Sequence, residues 1–259
     1  MVSQPLVEYD SSQMAVYNMA AYILPTSQYS TIITNFPGAM AHKPWGEKGQ
    51  FFISSAFYQE GKRIADIHSD WCNEEGHIHM EFDDVAYCLD RELAGIAIIQ
   101  FTHTKTISPN LYMAHIHKET GAYIAYPAGG FIGEQLHPDT HSRELENTLF
   151  WPGVICNENT QAKIVIANPY KVSFGYQLSL FLNDNSRVQT TSHKLKPYMS
   201  KVHSIEETFP DYAERIANSQ GDYSICVAAQ YKVVCYMMFQ NRKNNIITTI
   251  DHLHRYCLY

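Results

Sequence analysis

Six of the thirteen histidines in this 259-residue chain fall into His-x-His pairs: His77 with His79, His115 with His117, and His252 with His254. On a β-strand, residues two apart share a face at roughly 6.5 to 7 Å, a common way to offer two imidazole nitrogens to one metal ion. A further run, His137-Pro-Asp-Thr-His141-Ser-Arg-Glu144, places His137 and His141 on one face if it is helical, with Glu144 a turn on. His115, His117, His137, His141 and Glu144 are therefore the candidate ligands for a divalent transition metal: iron, copper or zinc. The competing expectation is structural, with the histidines at strand edges or an interface and satisfied by carbonyls or by carboxylates such as Asp83, Asp84 and Asp251. Repetition of the pair at His115/His117 and His252/His254 marks a seam between two halves, where imidazoles also titrate near neutral pH.

No other catalytic template is present. The chain lacks a Gly-x-Ser-x-Gly elbow, a phosphate-binding P-loop and a His-Glu-x-x-His helix. Gly129-Gly130-Phe131-Ile132-Gly133 follows a strand-like run without the alternating βαβ pattern of a dinucleotide site. The acidic pairs Asp83-Asp84 and Glu206-Glu207 suit turns better than glycoside chemistry, because adjacent strand residues face opposite ways. Aromatic residues gather at Tyr123, Tyr126, Phe131, Phe150 and Trp151, with Trp45 in a loop upstream. The first five form the candidate ligand-binding platform, at a place between domains where clefts tend to occur.

The elements that must carry these residues are β-strands. Alternating β-branched and aromatic runs, broken by turns such as Glu60-Gly61 and Asn183-Asp-Asn-Ser186, indicate antiparallel hairpins. Phe57-Tyr-Gln-Glu60-Gly-Lys-Arg63-Ile64 matches Phe181-Leu-Asn-Asp184-Asn-Ser-Arg187-Val188 at a spacing of 124 residues. The same spacing lays Ile78-His79 on Val202-His203. Upstream, Thr31 to Pro37 resembles Lys163 to Pro169 at a spacing of 133, consistent with a longer loop in the first copy. The expected fold is all-β: tandem duplicated antiparallel β-sandwich domains, residues 1–135 and 136–259, joined by a connector with a short helix near Asp139 to Phe150. A second short helix, Asp211 to Asn218, carries the Asp211/Glu214 spacing of a capping box.

Residues from Val154 to His252 resemble the soluble sensory-rhodopsin transducer family. The likeness rests on the hairpin from Lys163 to Val188, on Val202-His203-Ser-Ile-Glu-Glu-Thr-Phe209, and on the final hairpin from Val233 to Ile250. In the first copy, His79-Met-Glu-Phe82-Asp-Asp84-Val85 matches the same His-strand and acidic turn. The resemblance implies a small β-sandwich that assembles as an oligomer and couples a membrane photoreceptor to soluble partners. It implies binding and designates no functional residues.

Composition narrows the classes further. Hydrophobic residues make up 45% and charged residues 17%, with 18 Tyr and 12 Phe, so a large core is expected. A net charge of −7 argues against a surface built to neutralise phosphates, hence against nucleic acid. No apolar run approaches the length of about 18 residues that a membrane helix needs. Six cysteines without metal or disulfide spacing suggest reduced thiols and a cytoplasmic location. The leading expectation is a non-catalytic binding or adaptor protein with its functional surface at the inter-domain seam, meeting a protein partner, a small ligand or further copies of itself. The alternative is a metal-dependent enzyme at the same seam.

Overall fold

A computed structural model describes residues 14–35, 50–70, 72–73, 78–104, 111–127, 131–133, 147–231 and 233–255. In the first half the strands are β1 (Met14–Ile23), β2 (Tyr29–Asn35), β3 (Gln50–Gln59), β4 (Lys62–His68), β5 (Cys72–Asn73) and β6 (His79–Glu81). Helix α1 (Phe82–Leu89) follows, then β7 (Gly95–Thr104), β8 (Leu111–His117), β9 (Tyr123–Pro127) and β10 (Phe131–Gly133). The second half begins with β11 (Asn147–Ile155), β12 (Thr160–Ala167), β13 (Phe174–Leu182), β14 (Arg187–Leu195) and β15 (Ser200–Ser204). It continues through α2 (Ile205–Thr208), α3 (Ala213–Ile216), β16 (Gln220–Ala229), β17 (Val234–Asn241), β18 (Ile247–His252) and β19 (His254–Arg255).

Four sheets result, and all their pairings are antiparallel. Sheet 1 has the order β10-β1-β7-β3-β4, with β5 also on β3, and sheet 2 the order β6-β2-β8-β9. Sheet 3 is β19-β11-β16-β13-β14 and sheet 4 is β15-β12-β17-β18. The all-β sandwich architecture expected from the strand pattern is present, and apart from β5, which has no counterpart, the sheets of the two halves show the same strand order. Sheets 1 and 2 draw only on residues before 134, sheets 3 and 4 only on residues after 146; the expected boundary at 135 lies outside the described residues.

Local chemistry explains the hairpins. Glu60 and Gly61 take φ of 52° and 78°, the double left-handed turn that joins twisted strands over two residues. In the second half Asn185 supplies the positive φ, and Asp184 accepts from the Ser186 amide at 2.8 Å. A bond from the Ser186 hydroxyl first, and then that amide bond, hold the Asp184 carboxyl below its ordinary pKa. Gly95 opens β7 where a Cβ would stand 2.3 Å from the Tyr58 carbonyl oxygen on β3. Gly95→Ala is expected to cost about 1–3 kcal/mol through that overlap, read as a lower urea midpoint; an unchanged midpoint would show that the strands part freely here.

Sheet 4 is buried on both faces. Ala162, Ile164, Ile166, Cys235 and Met237 point into the core shared with sheet 3. The alternate residues Val165, Ala167, Val234, Tyr236, Met238 and Ile250 belong to the core of the first half. The face of sheet 1 turned away from sheet 2 carries Ala20, Tyr22, Ile96 and Ile98, all buried. The Tyr236 hydroxyl reaches that face and donates to the Ala20 carbonyl at 3.0 Å. Sheet 4 thus meets sheet 1 through Tyr236, and its edge strand β18 also lies against β9 of sheet 2.

Three sequence expectations are corrected. The connector helix does not extend to Phe150, because Asn147 to Phe150 are strand, part of β11; residues 139–146 lie outside the described set. The helix expected over 211–218 is a 3-10 turn, Pro210–Tyr212, followed by the four residues of α3, and Asp211 makes no capping bond. Its carboxylate accepts from Gln189 instead, at 3.3 Å. The spacing of 124 does not hold face for face: Phe57 points inward and is buried, whereas Phe181 lies on the outward face of β13. His79 is exposed and His203 buried. A one-residue slip reverses every side chain of a strand; Phe82-Asp83-Asp84 and Ile205-Glu206-Glu207, both opening a helix, correspond at 123.

Candidate functional site

His115 and His117 do share a face of β8, as the spacing requires, but that face is the core. His115 is fully buried. Its Nδ1 lies 2.8 Å from the Thr31 hydroxyl and its Nε2 3.1 Å from the Tyr126 hydroxyl. Tyr126 in turn donates to the Tyr22 carbonyl at 3.0 Å. One tautomer satisfies the whole chain: Thr31 donates to Nδ1, Nε2–H donates to Tyr126, and Tyr126 donates to β1. Burial pushes the His115 imidazole down to about 3, so it stays neutral. His117 Nδ1 accepts from the Thr120 amide and faces the Thr120 hydroxyl, while its ring meets Tyr29 edge-on at 5.1 Å.

The candidate metal set is thus not assembled among the described residues. Both His115 nitrogens are committed to hydrogen bonds, and no group of three His, Cys, Asp or Glu suited to a metal occurs among the described residues. His137, His141 and Glu144 lie outside them, as does His77. His252 is half-exposed, its Nδ1 2.9 Å from Asp251. Asp83, second residue of α1, pairs with Lys118 at 3.0 Å, and Glu206, second residue of α2, pairs with Arg242. Each acidic pair thus places a carboxylate at a helix start, tied to the turn of a following hairpin. This is a structural role.

The aromatic platform is dispersed. Tyr126 is core, only 2% exposed, with its ring 5.1 Å from Tyr236 across the seam. Tyr29, on the same sheet, accepts a hydrogen bond from the Ile247 amide on its hydroxyl oxygen at 2.7 Å. The described seam is therefore closed by tyrosines bonded to the backbone of a neighbouring sheet. Phe150 and Trp151 belong to β11, not to a connector, and as neighbours on a strand they face opposite sides. Trp151 packs inward near Phe239. Phe131 lies in β10, and its side chain is outside the described set.

Two features escaped the sequence reading. One is a cluster on the inner edge of the second sandwich: Tyr176 from β13, His193 from β14 and His203 from β15. The Tyr176 hydroxyl is 2.7 Å from His203 Nε2, and the two imidazoles lie 4.6 Å apart. Burial first, then His193 and Lys201, pushes His203 down to about 4; burial and then Lys201 lower His193. No spacing signals this cluster, because its members come from three strands.

The other is the outer face of sheet 2. Register places Ser30, Ile116 and Tyr123 in one cross-strand row and Ile32, Ala114 and Ala125 in the next. Tyr123 is 63% exposed at the edge of this apolar face. It alone of the five platform residues presents a described, largely exposed aromatic side chain. Tyrosine offers a large contact area at low entropic cost.

No protein-family model matches the chain, and no curated protein matches it. Among solved structures, it is similar to Thermotoga maritima 1070 at 16% identity, over 42% of this chain and 94% of that one, with a TM-score of 0.35. It is also similar to a glycosyl hydrolase family 2 member from Bacteroides cellulosilyticus at 7% identity and a TM-score of 0.22. That match covers 93% of this chain and 28% of the hydrolase. A Bacteroides uniformis beta-glucuronidase gives 8% identity, 94% and 26% coverage, and a TM-score of 0.20. The chain spans about a quarter of the length of these two enzymes. At such scores the likenesses bear on neither its fold nor its activity.

Proposed function

We propose that this chain is a non-catalytic binding protein of the adaptor kind, which engages its partner through the outer face of sheet 2. The observation that carries the reading is the exposed Tyr123 beside the half-buried Ile116, with exposed Ala125 and half-buried Ile32 in the next row of the same face. Contiguous exposed apolar surface marks interaction sites, and tyrosine is enriched among the residues that dominate binding energy. The packed, hydrogen-bonded seam supports moving the functional surface from the junction of the halves to this face. The resemblance of residues 154–252 to a transducer family supports a binding role. Free thiols at Cys72, Cys88, Cys156, Cys226 and Cys235 support a reducing compartment.

A photo-crosslinking amino acid at position 123 tests the reading in cells. Discrete adducts to a protein are expected at this position and none at position 87, where Tyr87 on α1 is more exposed still. Absence of any adduct at 123 would remove the face from consideration.

A further inference from the structure

We propose that the edge of the second sandwich between β14 and β15 binds an oxyanion, held by Lys201 at the mouth and by His193 and His203 behind it. The site lies apart from the outer face of sheet 2 and goes beyond the binding role assigned to that face.

Strand β14 ends sheet 3 and β15 ends sheet 4, and among the described residues neither has a strand beyond it. Side chains close the sandwich here. Lys201 and His203 stand opposite Ile166 and Ile164 of β12, whose side chains point into the core shared with sheet 3, so both basic residues turn toward sheet 3. His193 stands opposite Tyr176, whose ring belongs to that same core, and turns toward sheet 4. Three basic side chains thus converge from two strands. They differ in depth: His203 is buried, His193 half-buried and Lys201 exposed. A ligand entering past Lys201 meets the two imidazoles, whose rings are 4.6 Å apart.

Charge decides the class of ligand. His79 has Glu81 at 2.5 Å and His252 has Asp251 at 2.9 Å, whereas the charged neighbour of His193 and His203 is a lysine. After burial, Lys201 pushes both imidazoles down, His193 acts on His203 as well, and no carboxylate pulls either back up. On the deeper side lie Tyr176 and, beyond it, Cys235, both kept protonated by burial. The Asp211 carboxylate binds Gln189, four residues from His193 and about 13 Å away along β14. Three basic groups without a balancing acid repel a divalent cation and suit an anion. The hydrogen bonds agree. His203 Nε2 lies 2.7 Å from the Tyr176 hydroxyl and His193 Nε2 2.9 Å from the Thr191 hydroxyl, which leaves Nδ1 of each ring for a ligand. Donation from Tyr176 to Nε2 puts the His203 proton on Nδ1, a donor to an oxyanion even while the ring is neutral. A bound anion favours imidazolium at both rings, so the complex holds more protons than the free protein and binding tightens as pH falls.

Calorimetric titration of the full chain with sodium sulfate at constant ionic strength tests this, because sulfate stays a dianion across the range and any pH dependence belongs to the protein. One saturable site is expected. Its affinity should rise by about tenfold per pH unit for each proton taken up between about pH 6.5 and 5, with the uptake read from buffers of different ionisation enthalpy. Lys201→Gln should weaken binding roughly tenfold at every pH, and His193→Gln should flatten the pH dependence. Neither side chain is fully buried, so melting near neutral pH should match the parent. If His193→Gln melts early, the imidazole nitrogen resonances of the parent give the same test: sulfate should raise the pKa of both His193 and His203. No saturable site at about pH 5, an affinity indifferent to pH, or binding that Lys201→Gln leaves intact, which is an adventitious ion only, overturns the proposal. Zinc binding that His193→Gln removes, in the absence of a sulfate site, overturns it as well and makes the cluster a metal site. Cross-linking from position 123 is unaffected by any of these outcomes.

Discussion

Tyr126→Ala is expected to lower the unfolding free energy by about 4 kcal/mol, the range for emptying a buried aromatic site. The loss has three sources. The ring is buried between sheets 1 and 2 and touches Tyr236 of sheet 4, so its removal leaves a cavity where three sheets meet. The Tyr22 carbonyl loses its donor, and His115 Nε2–H loses its acceptor in a site that water does not reach. Tyr126→Phe keeps the ring and removes only the hydroxyl, at a cost of about 1–2 kcal/mol. Urea unfolding of both variants separates the packing loss from the hydrogen-bond loss. Equal costs for the two would mean that the ring contributes nothing to the seam.

Acidification should destabilise the fold well before the carboxylates titrate. His115 is held down to about 3 and His203 to about 4, both first by burial. In the unfolded chain each imidazole takes up its proton near its ordinary value, about 6.5. The unfolded state therefore binds more protons below that pH, and stability rises with pH throughout the window. The contribution is complete above about pH 6.5 and is lost as pH falls toward 4 for His203 and toward 3 for His115. One proton corresponds to roughly 1.4 kcal/mol per pH unit, so His115 alone removes about 5 kcal/mol over its window. Between pH 6 and 4.5 both groups act and the slope doubles. Urea midpoints across that range should fall steeply for the parent and about half as steeply for His115→Gln. A parent whose midpoint is flat there would refute the assignment.

Much of the secondary structure was legible in the sequence. Phe51, Ile53, Ser55 and Phe57 alternate with more exposed residues, as a strand with one core face requires, and Glu60-Gly61 is a two-residue hairpin turn by composition alone. The His115/His117 pair was correctly placed on one strand face. What the spacing left open was which way that face points, because periodicity of two fixes sameness of side and not direction. The metal reading and the structural reading were separated only by Thr31 and Tyr126 closing on the imidazole. Helix α1 was missed because Phe82-Asp-Asp-Val-Ala is too short to show a helical period, and Phe150 and Trp151 were assigned to a connector because nothing local marks where β11 begins.

Two runs show where sequence stops and tertiary structure takes over. Ile164-Val-Ile-Ala167 and Val234-Cys-Tyr-Met-Met238 do not alternate. The runs are compatible with burial on both faces, and the structure shows sheet 4 buried in that way. The sequence by itself did not determine what lies on either side, because hydrophobic burial is proportional to area and indifferent to the partner's identity. Tertiary structure decided that sheet 1 covers sheet 4 while the matching face of sheet 2 stays open, with Tyr123 upon it. That choice rests on directional contacts between residues far apart in the chain, such as the Tyr236 hydroxyl on the Ala20 carbonyl, which no local pattern encodes.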